Sequence, residues 1–380
     1  MCRNVILLVG PTSNNKMTHG MSIAFDMLIS GLDVEEVNVK IIDRSVGERF
    51  RRVGAFSFIG IITTLISIIH YYVNLPFINS VYIALGTSRA GFFRDALMIW
   101  PAFIMGRRVV VHLHGGGYKN FYESGPSWLR KIIRYMFNKV DVFIVLGRLL
   151  RDQFDFVDGI DKKIRIVPNG FPLDFQNPNP KTISKDEPLR ILYLSNLIPS
   201  KGYLDVLEAC RILVQKRKIP VRCDFCGAFV KTVTEKEERF HDKTSFLKLI
   251  HGLNLQDFVN YHGTVRGDQK LNFLHKGNVF VLPTYYPWEG QPISIIEALA
   301  HGMPVISTSY RGIPEQVIDG YNGFFVPPQS PQKISSVIER LWQNPMLYKE
   351  MSKNALKHFE ENFTKKAHLD RLIPIIMDED

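Results

Sequence analysis

The chain has 380 residues, enough for two domains of ordinary size. With 46% apolar and 22% charged residues it can fill two cores, which excludes a disordered or low-complexity chain. The net charge of +10 is uneven: from Arg94 to Arg151 ten Lys and Arg stand against three Asp and Glu. Such a field attracts nucleic acid, an anionic membrane or phosphorylated substrates.

Met1-Cys2-Arg3-Asn4 leads directly into the apolar run VILLV (5–9), which reads as a strand and not a cleavable leader. With only four cysteines (Cys2, Cys210, Cys223 and Cys226), a reducing cytoplasm is the expected location. Further strand runs follow at VNVKII (37–42), VYIAL (81–85), VVVHL (109–113), DVFIVL (141–146) and IRIV (164–167). Continuous Val, Ile and Leu of this kind suit parallel strands covered on both faces, so a doubly wound α/β domain is predicted.

No Asp, Glu, Lys or Arg occurs between Arg52 and Arg89. Phe56 to Val73 approaches the length of a short membrane span. Ser57, Thr63, Thr64, Ser67 and His70 interrupt it, and it lies between two strand runs, so a buried or interfacial crossover helix is expected. Residues 126–139 form another helix, with Leu129, Ile132, Ile133, Met136 and Phe137 as its apolar stripe and Arg130, Lys131 and Arg134 off it. That basic face is either solvated or rests on anionic lipid.

Pro172 to Pro188, rich in Pro, Asn and Asp, reads as an interdomain linker. Strand runs then resume: RILYLS (190–195), VRCDFC (221–226), FVNYHG (258–263), VFVLP (279–283), PVIST (304–308) and GFFVP (323–327). Helices are predicted at 201–217, 292–302, 331–343 and 346–363. Cys223-Asp224-Phe225-Cys226 is formally C-x-x-C, but positions three apart on a strand point to opposite faces, so it is read as structural.

The segment Glu289-Gly290-Gln291-Pro292-Ile293-Ser294-Ile295-Ile296-Glu297 follows the strand VFVLP directly. Pro292 suits the first position of a helix. The N–H groups from Gln291 to Ser294 would then face an anion at the helix start. Ligands of open α/β sheets bind at this end of the strands. Glu289 can hold a sugar hydroxyl, and Glu297, about one turn inside, can accept bonds from ribose hydroxyls.

With these residues in view, the chain resembles glycosyltransferase family 4, retaining enzymes of GT-B fold whose mark is E-x7-E followed by a helix and G-x-P-V. Here the matching residues are Glu289, Glu297, Gly302, Pro304 and Val305. The resemblance implies an α/β chain of GT-B type, with two Rossmann-like doubly wound domains facing across a cleft. An acceptor domain over 1–175 and a nucleotide-sugar domain over 186–364 are expected, with a last helix at about 365–380 crossing back.

The resemblance also assigns roles. Glu289 contacts the transferred sugar, Glu297 the ribose, and Lys201 the diphosphate from the loop Ser195 to Gly202. Asn196 stands where the family often has Arg. His114, after the strand VVVHL, lies beside the reacting sugar, while His112 is expected on the opposite strand face as a structural residue. Thr18-His19-Gly20 matches the family's glycine loop with a single glycine, Gly20. Gly227, Thr264 and Val265 fall where the base pocket is expected, and Val167-Pro168-Asn169-Gly170 is an architectural turn.

Retention at the anomeric carbon, no metal and no cofactor are implied, with a UDP- or GDP-sugar as the foremost donor and an ADP-sugar left open. Basic charge in the first half points to a glycan or lipid-linked acceptor and to peripheral contact with an anionic membrane, at the inner face of the cytoplasmic membrane. Two alternatives stay open. A phosphorylase or epimerase of the same fold would turn over without an acceptor hydroxyl. A non-catalytic nucleic-acid-binding protein would bind with steep salt dependence; no interleaved basic and aromatic stripe supports it, and no nucleic-acid partner is expected.

Overall fold

Parallel strands need side chains on both faces that bury without polar cost, and each run of Val, Ile and Leu becomes a strand. The computed structural model describes residues 5–13, 20–35, 37–44, 58–171, 179–230 and 242–379, with backbone alone for 58–61. The chain divides into two compact units, Met1–Pro172 with Thr364–Asp380, and Leu173–Phe363.

The first unit contains β1 (Val5–Gly10), α1 (Gly20–Val34), β2 (Asn38–Asp43), α2 (Phe58–Asn74), β3 (Ser80–Ala84) and α3 (Arg89–Ile104). It continues with β4 (Arg108–Leu113), α4 (Tyr118–Glu123), α5 (Ser127–Phe137), β5 (Val142–Val145), α6 (Ile160–Lys163) and β6 (Ile164–Ile166). The sheet order is β2-β1-β3-β4-β5-β6, parallel throughout.

The second unit contains β7 (Leu189–Leu194), α7 (Tyr203–Arg211), β8 (Val221–Cys226), α8 (Lys243–Gly252), β9 (Val259–Gly263) and α9 (Gly267–Lys276). Then come β10 (Val279–Leu282), α10 (Ile293–Ala300), β11 (Val305–Ser307), β12 (Gly323–Phe325), α11 (Pro331–Gln343) and α12 (Pro345–Asn362). The order β12-β11-β10-β7-β8-β9 reverses between β7 and β10, and the crevice for a ligand opens at such a switch point.

The last helix, α13 (Lys365–Met377), packs into the first unit. Leu372, Ile375 and Ile376 join a core with Ile6, Leu8, Phe25, Leu28 and Tyr82. Gly31 of α1 permits this approach: a Cβ there would lie 2.7 Å from a methyl of Leu369. The turn Pro168–Gly170 seats the helix start, because His368 Nδ1 donates to the Pro168 carbonyl at 2.7 Å.

Several expectations change. The stretch read as a linker is anchored at Lys181, whose Nζ donates to the carbonyls of Leu274, His275 and Gly277 and so caps α9. Burial lowers that amine to about 8. The helix expected over 201–217 is split: a 3-10 turn, Pro199–Lys201, ends at left-handed Gly202, α7 follows, and Ile212–Lys216 winds more loosely. Ile132 is not in the buried stripe of α5 but faces outward. The crossover helix α2 is half correct, since one side packs at Tyr71 while Ile62, Leu65, Ile66 and Ile69 are exposed.

Core burial of α13 yields a prediction. Leu372→Ala should destabilise the first unit by about 2–5 kcal/mol, the range for truncating a buried leucine. Chemical denaturation should show this loss while the second unit's transition stays in place.

Candidate active site

In the second unit the loops after β7 and β10 meet at the switch point. Gly202 makes this possible. Its φ is +77°, and a Cβ would lie 2.6 Å from the Pro283 carbonyl. The Tyr285 N–H donates to the Ser200 carbonyl at 2.8 Å, tying the loops side by side. Lys201 and Glu289 are thereby paired, Nζ to Oε2, at 3.2 Å. Thr284 Oγ1 donates to the same carboxylate oxygen at 3.0 Å, and Glu289 is only 7% exposed. The Lys201 ammonium also lies 5.2 Å from the Tyr286 ring centre.

Helix α10 begins at Ile293, so Pro292 is its N-cap and not its first residue. The first N–H groups of a helix have no acceptor within it, so those of Ile293 and Ser294 start the ladder beside buried Gly290 and Gln291. Gly290 is held from the far side, where its carbonyl accepts the Gly312 N–H at 3.2 Å. Glu297, 4% exposed, lies on the fifth position of α10 and pairs with Lys270 of α9 at 2.6 Å. Two Lys–Glu pairs thus bracket one helix start.

Gly227, after β8, has φ +149° and donates to the Gly263 carbonyl at 2.7 Å. Its missing side chain lets Ser195 pass, since a Cβ would lie 1.8 Å from the Ser195 carbonyl. Val265 is buried, and Thr264 and Asn196 are exposed at the same strand ends. Lys201, Glu289, Gly290, Gln291 and the start of α10 therefore come together, with Asn196, Gly227, Thr264 and Val265 on the neighbouring loops.

The sequence reading missed Lys270, Thr284 and Arg311. Arg311 lies one residue before Gly312, has φ +52°, and sits 5.6 Å from the Tyr310 ring. Among the described residues its buried Nε has no hydrogen-bond partner. A long basic side chain before Gly312, in the loop after β11, was the available signal. Lys270 had none, because only the fold brings α9 against α10.

His114 and Gly20 belong to the first unit. Gly20 is exposed and opens α1; Thr18 and His19 lie outside the described residues. His112 does not point away from His114: the two rings stack with centroids 3.9 Å apart. Residues two apart on a strand share a face. Tyr82, its phenol pushed up by burial, stays protonated and lies 2.7 Å from His112 Nδ1. Burial, helped by His368, pushes His114 down to about 3, with nearby Asn169 opposing the shift. The ring is therefore neutral near pH 7.

Burial also holds His112 well below its ordinary value and His368 at about 4. A folded state that refuses protons the unfolded chain accepts is fully stable above the ordinary value of 6.5 and loses stability as pH falls toward 4. The melting temperature at pH 5 should lie roughly 5 °C or more below that at pH 7. His368→Gln should narrow the difference, leaving the part due to His112 and His114. Gly227→Ala should destabilise the second unit by about 2 kcal/mol or more, since backbone must move, with a lower melting temperature as the readout.

A family model described as Glycosyltransferase Family 4 matches residues 21–175, and one described as Glycosyl transferases group 1 matches residues 174–358. The amylovoran biosynthesis glycosyltransferase AmsK of Erwinia amylovora is 31% identical over 162 residues, covering 41% of this chain and 37% of AmsK. The uncharacterized glycosyltransferase MJ1069 of Methanocaldococcus jannaschii is 22% identical, covering 73% of this chain and 71% of MJ1069. The crystal structure of HepE from Anabaena in complex with UDP shares the fold at 15% identity, with a TM-score of 0.70 over 99% of this chain and 100% of HepE. With both family models in sequence and that fold, the chain belongs to the family 4 glycosyltransferases of GT-B fold.

Proposed function

We propose that the protein transfers a sugar from a nucleotide-diphosphate-sugar to an acceptor hydroxyl, with retention at the anomeric carbon. The observation that carries this is the pair of Lys–Glu contacts, Lys201–Glu289 and Lys270–Glu297, on either side of the start of α10. In this reading the diphosphate lies on the N–H groups around Gln291 to Ser294. Lys201 stands between Glu289 and the leaving group and serves both. Glu289, fixed by Thr284, accepts from a hydroxyl of the transferred sugar. Glu297, oriented by Lys270, accepts from the ribose.

Asn196 offers no charge, and we assign the second phosphate to Arg311 beside the Gly290 turn. The anomeric carbon–phosphate bond breaks as the acceptor oxygen bonds on the same face. The departing phosphate oxygen takes the acceptor proton. Each positive donor on the developing diphosphate contributes on the order of a few kcal/mol. Lys201, Arg311 and the helix amides supply that charge without a metal. Neutral His114 contributes a hydrogen bond near the sugar and not a proton.

A UDP- or GDP-sugar is the proposed donor, and HepE solved with UDP-glucose supports the first. The name of AmsK, an amylovoran biosynthesis glycosyltransferase, supports a place in polysaccharide biosynthesis; the lipid-linked acceptor at the inner face of the cytoplasmic membrane is our own proposal, drawn from the basic charge of the first half of the chain. Among the described residues no helix is long and apolar enough to cross a membrane. The membrane contact we propose is a peripheral one.

Donors should be sorted by thermal shift, since a ligand of the folded state raises its melting temperature. With the donor so identified, Lys201→Ala should lower kcat/KM about 100-fold or more. Glu297→Ala should weaken donor binding about tenfold or more, and Arg311→Gln should raise the donor KM with little change in melting temperature. Activity should persist in EDTA. Near-normal turnover in both Lys201→Ala and Glu297→Ala would remove the assignment of this site.

A further inference from the structure

Apolar residues at helical spacing normally mark the face of a helix that packs inward. In three neighbouring helices of the first unit such a stripe faces out. On α2 it is Ile62, Leu65, Ile66 and Ile69, the last 60% exposed. On α3 it is Phe93, Leu97, Trp100 and Ile104, the last 65% exposed. On α5 it is Trp128, Ile132 and Tyr135.

The stripes join edge to edge. Tyr72 Oη donates to the Leu97 carbonyl at 3.1 Å, between α2 and α3. The rings of Phe93 and Trp128 stack at 6.4 Å, between α3 and α5. Lys139 closes the far edge, with its ammonium 4.8 Å from the Phe103 ring and 5.7 Å from the Tyr135 ring. A contiguous outward apolar surface of this breadth marks a membrane or protein contact.

Charge decides between them. Among these helices the one acidic residue is Asp95, which is 1% exposed and paired with Arg44 and Arg94. Arg89 lies one turn before Phe93 on the same face of α3, and Lys131 flanks Ile132; both are exposed. With Lys139 they set cations around the apolar field, and among the described residues of these helices no exposed anion lies within it. A second copy would bring cations against cations. An anionic lipid surface complements both the apolar centre and the basic rim.

We propose that the outer face of α2, α3 and α5 seats this unit on an anionic bilayer, with the aromatic and aliphatic stripes in the headgroup–acyl boundary and Arg89, Lys131 and Lys139 on lipid phosphates. The proposal deepens the lipid-linked part of the proposed function and rests on that reading for its purpose. No known binder is needed to test it.

The experiment is co-sedimentation of the whole protein with vesicles of phosphatidylglycerol and phosphatidylcholine, and with phosphatidylcholine alone. Binding should require the anionic lipid and weaken as salt rises. Arg89→Gln and Lys131→Gln should each weaken it about fivefold. Leu65→Glu with Trp100→Glu should abolish it, with an unchanged melting temperature. Brominated lipid should quench tryptophan emission, and less so in the Trp100→Phe, Trp128→Phe double variant. Equal binding to both vesicles, or full binding by the Leu65→Glu, Trp100→Glu variant, would overturn the proposal. So would a dimer that this variant converts to monomer without any vesicle binding. The thermal shift with UDP or GDP reads the second unit separately. Its retention alongside lost vesicle binding isolates this surface, and its absence in the unaltered protein would strike the donor reading instead.

Discussion

The close crossing of two loops at the switch point of the second sheet governs the candidate site. Gly202 and Pro283 are in backbone contact, and Tyr285 bonds across to Ser200. No side chain fits between them. This closeness, and not any long-range force, brings the ammonium of Lys201 to the carboxylate of Glu289. A buried carboxylate without a partner is costly, so the crossing supplies the partner and fixes where the pair sits. The second pair follows the same logic, with α9 laid against α10 so that Lys270 meets Glu297.

The first unit rests on a different constraint. Its last helix arrives from the far end of the chain and completes the core around Phe25 and Leu28. The turn at Pro168 and the His368 imidazole fasten that arrival; the bond places a proton on Nδ1, while burial keeps the ring neutral near pH 7. His112 and His114 stack nearby in a setting that excludes charge. The cluster therefore links how the unit closes to the protonation state of His114.

The outward side of α2, α3 and α5 breaks the usual rule that helix stripes are buried. Its inward side obeys it, with Tyr71, Met98 and Ile133 fully packed. A helix apolar on both sides has two environments to satisfy, and only one of them is protein. The low charge of this stretch, puzzling as a soluble crossover, is then consistent with a surface that meets lipid.

Composition and spacing alone determined a good deal. The strands were legible because a parallel strand buried on both faces demands an unbroken run such as VVVHL or VFVLP, and few other settings tolerate one. The pair Glu289 and Glu297 was legible because its spacing is local to one strand–loop–helix unit. What sequence could not settle depended on contacts between distant segments. Lys270 and Arg311 reach the site only through packing of α9 and the loop after β11. Lys181 looked like linker until the carbonyls of α9 received it. The stacking of His112 on His114 was misread by the wrong face rule, although the two-residue period was there to be used. Whether the stripe of α2 faced in or out was undecidable from its pattern, since periodicity names a face but not what lies against it. Only the tertiary structure, which assigns each face a neighbour or leaves it without one, decided that.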